Sequence, residues 1–257
     1  MFDRLTDQMR SRSAALLLTV DNRLDRILQA WLLITGLLAA TRIAFAPQTA
    51  PVAGLSTFAS YLLLVVAPFA STLLALNWFR DGELHPQPRT RLARLGTWRS
   101  VSRGEAKGHP LYGTSGIMVS LMIGMMLNVP IRAAEYLVAM PPIPDEAPQW
   151  LATLHGAMTF DVIFFSSLYM IAFVAALRRS PLFPRLLAMI WLGDLLMQLV
   201  TAKLVADIGG LPPGVATALH HMLDNNVKKV LISAALWLPY LLLSNRVNVT
   251  FRHRVPA

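Results

Sequence analysis

Six long apolar segments follow one another along the chain, and each is long enough to cross a lipid bilayer as a helix. The hydrocarbon core of a bilayer is about 30 Å thick, a distance that about 20 residues of α-helix span. The pattern therefore predicts an all-α, polytopic membrane bundle with six transmembrane helices. The segments are 27–46, 55–79, one that starts near Tyr112, 150–177, 186–206 and 215–243.

Basic residues between these segments alternate from loop to loop. Eighteen of the 23 Lys and Arg residues lie in the N-terminal segment, the loop 80–112, the turn 178–185 and the C-terminal tail. The opposite loops 47–54, 141–149 and 207–214 contain none. Cytoplasmic loops of membrane proteins carry such an excess of Lys and Arg. We therefore expect both termini to lie in the cytoplasm.

The charged stretches also divide the chain into four parts. Apolar residues recur at helical spacing within residues 1–26, which predicts an amphipathic helix lying on the inner leaflet. A two-span N-terminal part follows at 27–79. A basic cytoplasmic loop rich in Pro, Gly and Arg occupies 80–111 and leads into a four-span C-terminal part at 112–257.

Composition separates this chain from soluble proteins. Hydrophobic residues make up 55% of it and charged residues only 14%, whereas a soluble domain is about 25% charged. The net charge of +9 comes from the basic loops, so we expect contacts with membrane lipids and no nucleic-acid partner. The absence of Cys excludes disulfides, iron–sulfur clusters and thiolate chemistry.

The last four segments carry ionisable and amide side chains at depths where a bilayer would surround them. A charged side chain at the centre of a spanning helix costs about 2.5–3.5 kcal/mol on insertion scales, so such residues usually face a bundle interior or water. Their helical spacing places several of them on shared faces. The candidate binding site comprises Asn128, Arg132, Glu135, His155, Asp161, Asp194, Gln198, His221, Asp224, Asn225 and Lys228.

Two interpretations of this polar cluster stay open. The side chains could pair with one another and only fix helix packing. Alternatively, they could line an outward-facing cavity that binds or passes a small polar solute, an ion or a lipid headgroup. Proteins of two other classes would also need such residues: an intramembrane enzyme with Asp and His acid–base groups, and a scaffold subunit for another membrane protein or a second copy. Catalytic activity therefore stays undecided.

The histidines do not form a recognisable metal-binding motif. His220 and His221 are adjacent and so point about 100° apart on a helix. The chain contains no His-Glu-x-x-His pattern. We therefore expect neither a metal site nor a cofactor.

The C-terminal part carries a distinctive local sequence. The sixth segment ends in Trp-Leu-Pro-Tyr at 237–240, and Ser-Asn-Arg-Val-Asn-Val-Thr-Phe follows at 244–251. A basic turn with Phe-Pro, residues 178–185, precedes the fifth segment. With these motifs, residues 112–251 resemble an uncharacterised bacterial inner-membrane family, domain of unknown function 2569 (the YdgK-like proteins). The resemblance implies a helical inner-membrane protein and supplies no catalytic residue.

Overall fold

The fold is known from a computed structural model, which describes residues 2–45, 55–90, 96–144, 146–208 and 210–257. Most of these residues lie in α-helices, as the hydrophobic pattern predicts. The helices are α1 (Phe2–Asn22), α2 (Leu24–Ala44), α3 (Leu55–Trp78), α4 (Arg103–Gly108), α5 (Ile117–Ala139), α6 (Gln149–Leu177), α7 (Phe183–Ile208), α8 (Pro213–Leu243) and α9 (Asn245–Arg252). A 3₁₀ turn (Gly82–Leu84) and two short strands, β1 (Trp98–Ser100) and β2 (Arg254–Pro256), complete the described structure.

Within the described residues, six helices are long and apolar enough to cross a membrane: α2, α3, α5, α6, α7 and α8. This result confirms the prediction of a multi-pass helical membrane protein. The side of the membrane on which the termini lie stays a prediction. Because α8 has 31 residues, it is about 46 Å long and exceeds the hydrocarbon core by about 16 Å.

The helix α6 forms the centre of the bundle. It packs against α3, α5 and α7, whereas α8 packs mainly against α7. Ala172, Ala175 and Ala176 on α6 are fully buried, since small side chains let neighbouring helices approach closely. Of the most apolar 18 residues in each helix, 67% are buried in α6 but only 11% in α8. Much of the surface of α8 is therefore not covered by other helices of the bundle.

The bundle has two distinguishable ends. We call the end where α5 and α7 begin and α6 and α8 finish the basic end, because arginine-rich turns and the C-terminal tail lie there. The acidic end is the opposite one, where α5 and α7 finish. The N-terminal helix α1 joins the basic end: the backbone N–H of Gly116, just before α5, donates to Ser13 Oγ at 2.8 Å. Residues 2–22 of the predicted amphipathic segment 1–26 are helical, and the position of this segment on a leaflet stays a prediction.

After α8 the chain folds back across the basic end. Residues 247–252 of α9 are all buried, and the ring of Phe251 packs on that of Phe183 at 5.1 Å between centroids. Strand β2 pairs antiparallel with β1 from the 80–111 loop. The sequence analysis predicted neither this helix nor this two-stranded sheet, whose three-residue strands are too short to show an alternating pattern.

Candidate functional site

Four of the predicted site residues meet at one place inside the bundle. Arg132 Nη2 on α5 lies 2.7 Å from Asp194 Oδ1 on α7, and Nη1 lies 3.7 Å from Asp161 Oδ2 on α6. Gln198 Nε2 donates to Asp161 Oδ1 at 3.0 Å and lies 3.4 Å from Asp194 Oδ1. Together with Tyr169, which adjoins them, we call these residues the Arg132 cluster.

Aromatic side chains of α6 hold the guanidinium group in position. Arg132 lies over the ring of Phe165, with 5.4 Å from Cζ to the centroid, and 6.0 Å from that of Tyr169. Such a cation–π contact is strongest where water is excluded. The hydroxyl of Tyr169 also donates to Asp194 Oδ2 at 3.3 Å. Asp194 therefore accepts from three different side chains.

The cluster places one cation against two carboxylates in the protein interior. Asp194 is 0% exposed, Gln198 3% and Asp161 5%. Charge–charge attraction is much stronger at such a site than in water. Removal of one partner leaves the others buried and unpaired, which is costly. The Arg132 cluster therefore ties α5, α6 and α7 together.

A cavity of about 600 Å³ leads from the acidic end to this cluster, and we call it the acidic-end cavity. Arg132 Nη1 is buried and has no hydrogen-bond partner among the described residues. The ammonium group of Lys229 pairs with the carboxylate of Glu135 in the cavity wall. The lining residues are Arg132, Ala134, Glu135, Tyr136, Val138, Ala139, Met158, Asp161, Val162, Met222, Asn225, Asn226 and Lys229. The predicted residues Glu135 and Asn225 thus belong to the cavity although they lie outside the cluster.

His155 belongs to a separate buried network on α6. Its Nε2 lies 3.3 Å from the hydroxyl of Tyr136, which in turn lies 2.6 Å from Thr159 Oγ1. Tyr136 also lines the acidic-end cavity, so this network adjoins the wall of the cavity. No group of three or more His, Asp or Glu side chains in the described part of the chain is placed to hold a metal ion.

The predicted site residues His221, Asp224 and Lys228 of α8 do not reach the Arg132 cluster. Lys228 Nζ pairs with Asp224 Oδ2 at 2.6 Å, and their side chains are 63% and 44% exposed. His221 is exposed as well. The rotation of α8 explains this arrangement, because its buried residues Leu219 and Leu223 lie on the opposite side.

Two residues outside the predicted site complete the network. Asn226 Nδ2 donates to Gln198 Oε1 at 3.4 Å, and Tyr169 bonds Asp194 as described above. Tyr169 lies eight residues after Asp161 on α6, about 80° around the helix, so helical spacing alone does not identify it. The predicted residue Asn128 is half-buried on α5, one turn nearer the basic end.

Comparison with known proteins identifies one family. The family model described as protein of unknown function (DUF2569) matches residues 112–252. This range confirms the resemblance in the C-terminal part, and it contains the entire Arg132 cluster and the lining of the acidic-end cavity. No curated protein and no solved structure matches the chain.

Proposed function

The chain belongs to the DUF2569 family of proteins of unknown function, whose model covers more than half of its length, and we propose that it binds a small polar solute in the acidic-end cavity. The solute carries a carboxylate or phosphoryl oxygen that accepts a hydrogen bond from Arg132. The protein resides in a bacterial inner membrane. The alternation of basic loops supports an orientation in which the cavity opens to the outer side.

Arg132 Nη1 is the observation on which this proposal depends. A buried N–H group without an acceptor costs about 1–3 kcal/mol, and Nη1 is such a group among the described residues. Nη2 is already bonded to Asp194. The Asp161 carboxylate lies 3.7 Å from Nη1, beyond hydrogen-bond distance, so a ligand oxygen could accept from Nη1. The planar guanidinium fork suits carboxylate and phosphate oxygens.

The size and walls of the cavity support a small ligand. Pockets for small molecules measure about 300–1,000 Å³, and this one measures about 600 Å³. Asn225, Asn226 and Lys229 supply further donors in the walls, whereas Met158 and Val162 supply apolar surface. A mostly apolar pocket with a few polar groups is typical of a binding site.

The geometry favours binding over passage through the membrane. On the basic-end side of the Arg132 cluster, the interior is filled by buried residues that include Met125, Met170 and Phe173. A solute that moved further would have to separate the ion pair and these side chains. We therefore propose a blind binding site.

Ligand-dependent stability tests this proposal. The purified full chain in a non-ionic detergent is unfolded by heat in the presence of acetate, glutamate, glycine betaine or inorganic phosphate. A solute at 100 times its Kd stabilises the folded state by about 2.7 kcal/mol. We expect at least one of these solutes to raise the midpoint temperature of unfolding, and this rise should level off as the solute concentration increases.

A pair of matched variants locates the effect. Ala134→Leu fills the cavity and should abolish the shift, because Ala134 lines the wall. Ala218→Leu adds the same atoms at an exposed position on α8 outside the lining and should keep it. Equal shifts in both variants, or no saturable shift with any of the four solutes, would contradict the proposal.

A further inference from the structure

A second and larger cavity lies between α5 and α8 at the basic end. Its volume is about 1120 Å³, which exceeds the range of about 300–1,000 Å³ usual for small-molecule pockets. Its lining comes from α1, α5, α8, the start of α9 and the loop residues Leu111, Gly116 and Ser244. We call it the basic-end groove. It is separate from the acidic-end cavity, since none of the described residues lines both.

Small residues on α5 and immediately before it explain the depth of this groove. Gly116, Ser120 and Gly124 recur every four residues and line it. Apart from its two chain neighbours and the adjacent backbone of α5, no described atom lies within 4 Å of the position that a Cβ at Gly124 would occupy. Ile123 and Leu243 line the groove from α5 and α8. The body of the groove is therefore an apolar channel between two membrane-spanning helices.

Cationic and hydroxyl groups line the end of the groove that lies at the basic end of the bundle. Arg12 and Arg246 line it together with Ser13 and Ser244, and no acidic residue is part of the described lining. Arg246 Nη1 donates to Ser115 Oγ at 2.7 Å, which fixes this guanidinium at the groove. The groove thus combines positive charge at a helix end with apolar walls along the helices.

We propose that the basic-end groove binds one anionic phospholipid from the leaflet at this end. Arg12 and Arg246 bind the phosphate of its headgroup, and the apolar walls of α5 and α8 contact its acyl chains. Since α5 begins and α8 ends here, the charged end of the groove lies where a headgroup would lie. The absence of an acidic residue from the described lining favours an anionic lipid over a zwitterionic one, whose ammonium group would lack a partner.

A second copy of the chain fits this groove less well. Most oligomers are symmetric, and a two-fold interface brings the same surface patch of both copies together. The described lining of the groove has two arginines and no acidic residue, so neither copy would supply a carboxylate to the arginines of the other, and like charges repel. A phospholipid instead supplies the opposite charge.

Native mass spectrometry of the detergent-solubilised full chain tests this proposal. The protein is mixed with equal amounts of dioleoyl phosphatidylglycerol and dioleoyl phosphatidylcholine, whose acyl chains are identical. We expect selective retention of phosphatidylglycerol by the wild-type chain. Arg12→Gln should lower this retention about fivefold, the effect of one basic residue near an anionic surface. Arg26→Gln, which neutralises an exposed arginine outside the lining, should leave it unchanged.

A second pair of variants tests the apolar part of the groove. Gly124→Leu fills the groove and should abolish retention, and Leu favours helix more than Gly does, so α5 is kept. Gly36→Leu on α2 has equally open space at its Cβ and serves as the control. Equal retention of both lipids by the wild-type chain would overturn the proposal. Unchanged retention in Arg12→Gln and Gly124→Leu, or a wild-type dimer that Gly124→Leu dissociates, would also overturn it.

Discussion

Arg132 is the only cation that the structure shows in contact with Asp161 and Asp194 among the described residues. Its replacement by Met would keep much of the side-chain volume but leave two buried carboxylates without a positive partner. Removal of one partner from a buried ion pair costs about 3–5 kcal/mol. We expect Arg132→Met to lower the free energy of unfolding by that amount, measured by denaturant titration in detergent micelles.

The exposed pair on α8 supplies the control for this prediction. Lys228→Met removes a cation from Asp224, but both side chains face the surroundings of the bundle. Ion pairs that water reaches contribute little to stability, so the free energy of unfolding should fall much less than in Arg132→Met. A loss in Lys228→Met as large as that in Arg132→Met would contradict the assignment of the buried network to Arg132.

At the scale of single residues, the sequence predicted which side chains needed partners but not which partners they have. Asp161, Asp194 and Gln198 are polar within apolar segments, so the cost of burial identified them. Asn225 and Asn226 are neighbours, and only the rotation of α8 decides that Asn226 contacts Gln198. The packing of α8 against α7 sets that rotation, and the sequence pattern of α8 alone does not determine it.

The helix α9 is an element whose packing can be tested by one substitution. Phe251 is 1% exposed and packs on Phe183 of α7. Truncation of a buried Phe to Ala costs about 3–5 kcal/mol. We expect Phe251→Ala to lower the free energy of unfolding by that amount and to make the C-terminal residues accessible to protease. Leu236→Ala, at a position 62% exposed on α8, should have a small effect. If Phe251→Ala and Leu236→Ala lowered the free energy of unfolding equally, the packing of α9 on α7 would be contradicted.

The turn that follows α3 should make stability depend on pH. Burial raises the pKa of Glu83, but Lys107 and Arg179 outweigh burial, so the pKa lies below its ordinary value. Glu83 Oε1 lies 2.5 Å from Arg179 Nη1, and Lys107 pairs with the other carboxylate oxygen. A carboxylate with a lowered pKa stabilises the folded state above the pKa of the unfolded chain, and this stabilisation is lost as the pH falls.

Comparison of wild type with Glu83→Gln separates the contribution of Glu83 to stability from the contributions of other acidic residues. Wild type should be more stable than Glu83→Gln at neutral pH. The difference in unfolding free energy should shrink as the pH falls below about 5, since the ordinary pKa of Glu is about 4.3. Unfolding curves of both proteins measured between neutral and acidic pH give this difference. A difference that does not change with pH would mean that the ion pairs of Glu83 do not stabilise the fold.

At the scale of elements, hydrophobic length was the informative quantity. It predicted all six long helices, because a bilayer imposes a minimum apolar length on each. It could not predict α9, whose residues are mostly polar in sequence yet buried. Their burial depends on contacts with the 80–90 segment and α7, such as the bond from Gln87 Nε2 to the carbonyl of Phe251, which lie far away in the chain.

For the whole molecule, the position of α8 determines both sites. Because α8 packs mainly on α7, its flank toward α5 stays open along much of the length of the two helices. The acidic-end cavity and the basic-end groove both lie along this flank. The central claim is that the acidic-end cavity is open to water, whereas lipid surrounds the outer faces of the helices.

Cysteine accessibility tests this claim most directly, because the chain has no Cys of its own. Ala134→Cys places a thiol in the wall of the cavity. Phe160→Cys places one at a 53% exposed position beside Asp161 and outside the lining. Thiols react as thiolates, which need water. A membrane-impermeant methanethiosulfonate added to intact cells should label Ala134→Cys rapidly and leave Phe160→Cys unlabelled. Failure to label Ala134→Cys, or equal labelling of both, would contradict a water-filled cavity open to the outer side.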